Sequence, residues 1–419
     1  MDMAIRPILA SLRAHRTTAF LIIAEIALAC GVLCNAMSMI GQNMDDIRLR
    51  NAIDEGGISV VRISGSEVKT AASDIPRDLA ALRNIPGVRA VATSSDMPLD
   101  NSGLTWSFGM HPGATMNDIR NAYVEYYLVG EGADKAMGLH LIEGRFFDAD
   151  EYANSTLNGE LVSSGHAVVI TASLAKRMWP RQSALGKLLY SDALWYAVVG
   201  VVDDVLCSDD GTRDAGGRGF YNSVFFPISP ASALGSLGPA NPVNDYVLRS
   251  TPRDRDRVLK AAVAKLHQLY PSARIKGQRY TDMRDQYFAD ASSLAWTLVV
   301  VCAVMLAVTA FGIMGLTSFW VQQRRRQIGI RRAVGATRGQ ILGYFRLENF
   351  LLTTAGVAIG MGLAFAINIY LIKHYEMRLM PWYYLPCCVV TLWVLGQLAV
   401  QGPAMRAAAV PPVVATRSV

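Results

Sequence analysis

The sequence predicts a membrane protein with four transmembrane α-helices and a large α/β extracytoplasmic domain between the first and second of them. Three observations lead to this fold class. Four long apolar runs interrupt the 419-residue chain, about 250 residues of ordinary turn-rich sequence separate the first two runs, and arginines cluster beside the runs. The composition agrees, because 52% hydrophobic and 18% charged residues make the chain too apolar for an average soluble protein.

The apolar runs define the predicted spans. The first three reach the ~20 residues that a helix needs to cross the hydrocarbon core, and the fourth is at the short end of that range. We therefore place the transmembrane helices at residues 18–42, 291–321, 350–372 and 383–402.

The arginines predict the orientation, because retained positive charge marks cytoplasmic segments. They precede the first run, follow the second and follow the fourth: Arg6, Arg13, Arg16, five arginines within residues 324–332, Arg406 and Arg417. Both termini (1–17 and 403–419) and the loop at 322–349 are thus expected inside, with 43–290 and the short loop 373–382 outside. Because the topology accounts for the net charge of +6, a nucleic-acid partner is not needed to explain it.

The external segment, 43–290, begins and ends with similar strand–helix–strand patterns. Branched residues predict the strands, and a capping residue with a proline in the first turn predicts the first helix. The first unit is Ile58–Ile63, Ile75–Asn84 (capped by Ser73 or Asp74) and Val88–Thr93; the second is Asp245–Arg249, Pro252–Leu269 and Ala273–Gly277. Two such units around an insertion predict one α/β subdomain that is discontinuous in sequence.

The insertion, residues 107–230, is predicted to be a β-rich subdomain. Its clearest strands are Ala167–Ile170 and Trp195–Val202, and a short helix, Ala172–Trp179, should be capped by Thr171. Two acidic turns, Asp203-Asp204 and Asp209-Asp210-Gly211, lack the spacing of a calcium loop and indicate solvated turns.

The sequence predicts no catalytic, cofactor-binding or metal site in this chain. Cys207 is the single cysteine of the external segment, so an internal disulfide and a zinc site are both excluded there. No His-Glu-x-x-His motif occurs, and Gly186-Lys187 lacks the upstream glycine and the hydroxyl of a phosphate-binding loop. We expect no catalytic, cofactor-binding or metal residues, and no enzymatic activity of the chain by itself.

The arginine-rich segment after the second span has the sequence of an elbow. Gly335 is placed to break the helix that leaves the span, and Thr337 with Gln340 forms a Thr-x-x-Gln capping box that begins a new helix. Its arginines would then be available to a protein surface. The alternative is a topological anchor whose arginines bind anionic lipid headgroups.

The first span carries a stripe of small residues and one carboxylate. Small side chains suit a close helix–helix interface, and those that share one helical face are Ala24, Ala27, Gly31, Cys34 and Ser38. Glu25 points away from this face. Because a carboxylate in an apolar span is costly, Glu25 is a candidate functional intramembrane residue, facing a cationic substrate or a basic partner helix. The alternative is a protonated or hydrated side chain near the headgroups.

Motifs along the chain resemble those of the MacB/FtsX-like permeases, which are membrane subunits of ABC transporters. The resemblance covers Gly144-Arg145-Phe146-Phe147, Leu185-Gly186-Lys187, Val198–Val205, Arg331–Arg338 and Pro403–Ala408. It implies a porter-like subdomain with an inserted β-rich subdomain. It also implies an elbow that couples to the ATPase through Arg325, Arg326, Ile328, Gly329, Arg331, Arg332, Gly335, Ala336, Thr337 and Arg338.

The same resemblance implies a function and a set of partners. We expect a permease in the bacterial inner membrane, working as a dimer with itself or a sister permease. A separate ABC ATPase dimer would bind ATP and Mg²⁺ and drive mechanotransmission, and a periplasmic adaptor with an outer-membrane channel would carry the exported substrate away. Two alternatives remain open: release of lipoproteins by a Lol-like permease, and a membrane sensor without transport.

The predicted topology is testable by single-cysteine labelling in intact spheroplasts. An impermeant reagent should modify Cys207 and should leave a Gly335→Cys variant unmodified, because only the first position is expected outside. The opposite labelling pattern would invert the topology.

Overall fold

A computed structural model describes residues 16–64, 71–100, 104–113, 122–157, 163–191, 194–208, 221–230, 245–375 and 378–409. The chain divides into two compact units. The membrane unit comprises Met1–Arg48 with Ala291–Val419, and the α/β unit comprises Leu49–Asp290. Arg6, Arg13, Asp209–Gly211 and Arg417, used above, lie outside the described residues.

Helices and strands of the described residues are numbered in chain order. Helices α1 to α11 are Arg16–Ile47, Ala71–Arg83, Ala133–Met137, Ala149–Asn154, Ala172–Met178, Arg255–Leu269, Tyr280–Tyr287, Ala289–Gln323, Arg325–Ala333, Arg338–Tyr375 and Tyr384–Ala408. Strands β1 to β11 are Ile58–Ser64, Ala90–Ser94, Leu104–Phe108, Ala122–Val129, Leu141–Gly144, Ala167–Thr171, Leu188–Ser191, Leu194–Val202, Ser223–Pro227, Asp245–Arg249 and Arg274–Arg279.

Helices α1, α8, α10 and α11 are long and apolar enough to cross a membrane. All of them extend beyond the predicted spans. The largest difference is in α10, which begins at Arg338 rather than near Phe350. Apolar composition marks the part of a helix that suits lipid, whereas the helical hydrogen bonds continue into the polar residues on either side.

A close contact between α1 and α10 forms the centre of the membrane unit. A Cβ at Gly356 would lie 2.8 Å from the Ile26 Cβ, and one at Gly360 would lie 2.5 Å from the Cys30 Cβ. Asn35 adds a hydrogen bond from its side-chain amide to the Ala364 carbonyl, 3.0 Å away. Small residues let two helices approach closely in lipid, where the hydrophobic effect does not drive them together.

The α/β unit is built on one 11-stranded sheet with the order β11-β1-β10-β2-β4-β9-β6-β8-β5, with β3 beside β4 and β7 beside β8. Strands from the two flanking segments alternate in the antiparallel block β11-β1-β10-β2, which therefore is discontinuous in sequence. The block joins the remaining strands through a single residue pair, Ser94 with Val129. The strand-rich middle of the chain runs from Leu104 to Pro227.

Three local predictions in the α/β unit are wrong. Helix α2 begins at Ala71, so Ser73 and Asp74 lie inside it and do not cap a helix that begins at Ile75. The Thr171 side chain does not cap α5; its hydroxyl donates to the Tyr221 carbonyl instead. Asp204 supplies the cap from a distant loop, accepting hydrogen bonds from the Ser173 N–H at 2.7 Å and the Ser173 hydroxyl at 2.6 Å. In addition, α6 begins at Arg255, because Pro252 lies in the turn before the helix.

Cys207 is only 1% exposed. Burial also raises the pKa of its thiol, so the reactive thiolate is scarce. This residue therefore cannot report topology in the labelling experiment described above. A cysteine introduced at the exposed Lys260 is the suitable external position.

Glu125 is a buried carboxyl in the middle of the sheet, on β4. Its oxygens accept hydrogen bonds from the Ser208 N–H at 2.6 Å and the Ser208 hydroxyl at 3.0 Å. Burial raises the pKa of Glu125 from 4.5 to about 8, and the Ser208 hydrogen bonds only partly offset this effect. Asp96 adds to the increase through charge repulsion.

The raised pKa predicts a pH-dependent stability. Because the folded pKa lies above the unfolded value, the stability contributed by protonated Glu125 is full below about pH 4.5 and is lost as the pH rises through about 8. The free energy of unfolding should fall by up to about 1.4 kcal/mol per pH unit in this window. Glu125→Gln should remove that part of the slope, as measured by thermal unfolding in detergent between pH 5 and 9. Identical slopes for both proteins would refute the assignment.

Candidate functional site: a basic elbow in the membrane unit

Two helix breaks, rather than the predicted one, shape the segment after α8. The helix that leaves the span already ends at Gln323, and Arg325 begins a separate nine-residue helix, α9, with Arg324 at its N-cap position. Gly335 ends this short helix. The prediction that Gly335 breaks the helix leaving the second span is therefore wrong, although the chain does turn there. We call residues 324–338 the elbow.

The second break has two well-defined caps. Gly335 adopts a φ of +104°, which side chains other than glycine rarely tolerate. The Gly335 N–H donates to the Arg332 carbonyl and the Ala336 N–H donates to the Arg331 carbonyl, which together form a Schellman motif. Thr337 and Gln340 then form the predicted capping box, with reciprocal bonds of 2.9 and 3.2 Å. The turn between α9 and α10 is thus fixed by local bonds.

A buried ion pair fixes the first break. The Arg324 Nη1 lies 3.1 Å from Glu348 Oε1 and 3.4 Å from Oε2, and the two side chains are only 9% and 2% exposed. The guanidinium also lies over the Trp320 ring, 5.3 Å from its centroid. One pair therefore connects the junction of α8 and α9 with a residue about three turns into α10. Loss of one partner of a buried pair costs about 3–5 kcal/mol.

Two of the predicted coupling residues make contacts inside the membrane unit. The Arg331 guanidinium lies over the Tyr344 ring at 5.1 Å, and the Arg332 Nη1 donates to the Ala408 carbonyl at 3.2 Å. Ile328 and Gly329 are buried. These residues hold the elbow against α10 and α11, so a substitution at any of them changes the elbow as well as its surface.

The exposed surface of the elbow is both basic and apolar. Arg325, Arg326 and Arg338 are exposed, and within the described part of the chain they form no hydrogen bond or ion pair. Beside them Ile330 is 52% and Val334 is 84% exposed. Ala336 is half-buried and Thr337 is exposed. Guanidinium groups that flank two exposed aliphatic side chains suit an acidic protein surface with an apolar centre.

The predicted interface on α1 is buried except at one residue. Ala27, Gly31, Cys34 and Ser38 are buried in the membrane unit, where a Cβ at Gly31 would contact Leu363 of α10. Ala24 is exposed, and its place in a helix interface stays a prediction.

Glu25 lies against Gly312 of α8. A Cβ on Gly312 would be 2.2 Å from Glu25 Oε1 and 2.5 Å from Oε2, so only glycine leaves room for this position of the carboxylate. Neither α1 nor α8 has a basic residue between its ends. Nine residues separate Glu25 from Arg16, which corresponds to roughly 14 Å of helix or about half of the hydrocarbon core. The functional role of Glu25 stays a prediction.

Among the residues of the α/β unit that the structure describes, one group of carboxylates is close enough together to hold a metal ion: Asp96, Asp100 and Asp245. An arginine already occupies its centre. Arg62 donates to Asp245 at 2.6 Å through both Nε and Nη2, and it also contacts Asp100 and Asp96. These carboxylates raise the pKa of Arg62, which remains charged. The cluster is a buried ion network around a resident cation.

Sequence reasoning missed Glu348, Trp320 and Gly312. Glu348 could have been noticed as an acid at the edge of the third apolar run, and such residues generally need a partner. Trp320 and Gly312 gave no local signal, since an aromatic residue and a glycine are both common in apolar helices.

Family models match most of the chain. A MacB-like periplasmic core domain model matches residues 21–266, and an FtsX-like permease C-terminal model matches residues 299–412. The chain belongs to the MacB/FtsX-like family of ABC transporter permeases. The first model begins in α1 and ends in α6, and the second begins inside α8.

Named relatives of this permease are distant in sequence. It is 24% identical over 341 residues to the "Macrolide export ATP-binding/permease protein MacB" of Shewanella sp. (strain W3-18-1), which covers 80% of this chain and 46% of that protein. It is 27% identical over 305 residues to the "Pyoverdine export ATP-binding/permease protein PvdT" of Pseudomonas aeruginosa, covering 70% and 40%. The permease thus spans less than half of these relatives' length.

One relative has a similar length. The "Uncharacterized ABC transporter permease YknZ" of Bacillus subtilis is 23% identical over 430 residues, covering 99% of this permease and 98% of that protein. The solved extracellular domain of YknZ covers 52% of this chain at 15% identity, with a TM-score of 0.33.

The contact between Glu25 and Gly312 predicts different effects for two neighbouring glycines in the permease. Gly312→Ala should destabilise the protein by about 1 kcal/mol relative to Gly315→Ala, because the new methyl drives the Glu25 side chain out of its rotamer. Nothing lies within 4 Å of a Cβ at Gly315, and both substitutions share the same gain in helix propensity. Thermal unfolding in detergent measures the difference.

The double variant Glu25→Ala/Gly312→Ala provides the control. Removal of the carboxylate should make the two glycine substitutions equivalent, since the methyl then has no clash. Equal stabilities of the two single variants would show that Glu25 does not occupy this position.

Proposed function

We propose that this chain is the permease subunit of an exporter in the bacterial inner membrane, with both termini cytoplasmic. A separate ABC ATPase binds ATP and Mg²⁺, and the permease transmits its movement to the α/β unit, which expels a periplasmic substrate. The family membership supports the permease role. The names of the MacB and PvdT relatives, which include export, support this direction over lipoprotein release.

The observation that carries the proposal is the elbow. Its exposed basic and apolar face follows α8 in the chain and is joined to α10 and α11 by the Arg324–Glu348 ion pair, the Arg331–Tyr344 contact and the bond from Arg332 to Ala408. A surface held in this way moves as one body with α8, α10 and α11. Lipid headgroups require positive charge but no such rigidity, so a protein partner explains the geometry better than an anchor does.

The ATPase partner follows from the chemistry of this face. Arg325, Arg326 and Arg338 offer planar guanidinium groups that bind carboxylates in a bidentate manner, and Ile330 with Val334 offers an apolar centre. An ATPase dimer has two equivalent docking surfaces, so two permease copies, or one copy with a sister permease, match its symmetry.

Transmission would use the continuity of the chain. Helix α1 leads into the α/β unit, and the α/β unit leads back into α8, whose far end carries the elbow. Closure of the ATPase would displace the elbow and with it α8. A periplasmic adaptor and an outer-membrane channel would receive the substrate, and lipid contact by the arginines would be secondary.

Charge reversal on the exposed face tests the proposal. Arg325→Glu/Arg326→Glu should weaken binding of the ATPase at least about tenfold, because each charge-assisted contact is worth roughly 1.4 kcal/mol or more. Substitution at these positions tests docking more directly than substitution of Arg331 and Arg332, which also contact Tyr344 and Ala408. The measurements are permease abundance, the amount of co-purifying ABC ATPase, ATP hydrolysis and export. The chain alone should hydrolyse no ATP.

Matched controls separate docking from anchoring. Arg325→Lys/Arg326→Lys should retain much of the binding, and Lys373→Glu, an exposed reversal at the other end of α10, should have no effect. If the Glu variants insert normally and export at full rate, the elbow is only an anchor. If the ATPase binds and export of every tested substrate is absent while a lipoprotein is released, the machinery is Lol-like.

A further inference from the structure

An open groove of about 430 Å³ lies on the α/β unit, beside the first residues of the parallel strands β6 and β8. Its volume falls within the range of small-molecule sites. Helix α4 forms one wall, residues 164–167 form the floor, and alternate residues of β8 form the other wall. No lysine or arginine is among its lining residues.

Two stacked rings form a flat platform in the groove. The His166 and Trp195 ring centroids are 4.0 Å apart and the ring planes differ by 6°. Trp195 is 42% exposed, so part of its ring is available to a ligand. Such a platform accepts another flat ring, and the indole face attracts cations.

The hydrogen-bonding groups of the groove are mainly acceptors. The His166 Nδ1 lies 2.9 Å from the Trp195 carbonyl, which can only accept, so Nδ1 carries a hydrogen and Nε2 is the ring nitrogen that can accept one. The Glu151 carboxylate is occupied by two bonds from Arg145 at 2.7 and 2.8 Å. Asp150 is exposed and, within the described residues, forms no hydrogen bond or ion pair. It therefore supplies an available negative charge.

The floor of the groove contains a buried polar group without a partner. Ser155 is fully buried, and its hydroxyl makes no hydrogen bond with the described residues. The Ser155 hydroxyl packs against Gly165 where a Cβ would otherwise lie, so only glycine leaves room for it. The floor is therefore closed, and a ligand would rest on it rather than enter it.

We propose that this groove binds a small organic cation, namely an ammonium group attached to a flat ring. The ring stacks on Trp195, the ammonium group faces Asp150, and its hydrogens are donated to Asp150 and His166 Nε2. An anion would be repelled by Asp150. The site is independent of the elbow, so it stands whether or not the chain exports its ligand.

The test uses the full chain in detergent and three probes of the same shape: phenethylamine, phenethyl alcohol and phenylacetate. At pH 7.5 isothermal titration calorimetry and saturation-transfer NMR should show binding of the amine, at least tenfold weaker binding of the alcohol, and no binding of the acid. Asp150→Asn, an exposed substitution that leaves the fold intact, should weaken amine binding about tenfold. Trp195→Leu should weaken it at least as much.

Two further sets of variants exclude partition into detergent and loss of folding. Ala197→Phe, in the β8 wall, should block the groove without changing its charge. Asp285→Asn and Trp382→Leu remove an exposed acid and an exposed tryptophan elsewhere, and both should bind as the parent chain does. Equal binding of amine and alcohol, or unchanged amine binding in Asp150→Asn or Ala197→Phe, would overturn the proposal.

Discussion

The buried ion pair between Arg324 and Glu348 is the interaction on which the elbow depends. Helix α8 ends at Gln323, so no continuous ladder of backbone hydrogen bonds connects the span to α9. In a low-dielectric setting the attraction between the two charges is strong, and the cost of exposing either one alone is high. The pair therefore compensates for the helical hydrogen bonds that are missing between α8 and α9. It holds this break in place, where the chain would otherwise act as a hinge.

Charge is buried in both units, but it is stabilised differently. In the α/β unit Arg62 lies among three aspartates and Glu125 takes its hydrogen bonds from Ser208, so polar networks hold distant strands together. In the membrane unit small residues allow α1 and α10 to touch, and few charges enter the interior. Glu25 differs from both patterns, because it faces a glycine on a helix without basic residues between its ends.

Much of the architecture was predictable because it depends on local sequence. The apolar runs gave the four long helices, branched residues gave most of the strands, and Thr337 with Gln340 gave a capping box that the structure contains. The errors have a common cause. The cap of α5 comes from Asp204 rather than Thr171, and the first break comes at Arg324 rather than Gly335. In both cases a residue distant in sequence supplies the stabilising contact.

The sequence by itself determined what lies in lipid, which family the chain resembles and where the basic segment falls, because hydrophobicity, charge and motifs are properties of consecutive residues. Tertiary structure alone decided which arginines are available. It paired Arg324 with Glu348, placed Arg331 on Tyr344 and Arg332 on Ala408, and left Arg325 and Arg326 exposed. It also brought Trp195, His166 and Asp150 to one groove. Five arginines in nine residues look equivalent in a sequence, and only the partners that folding brings to them make them different.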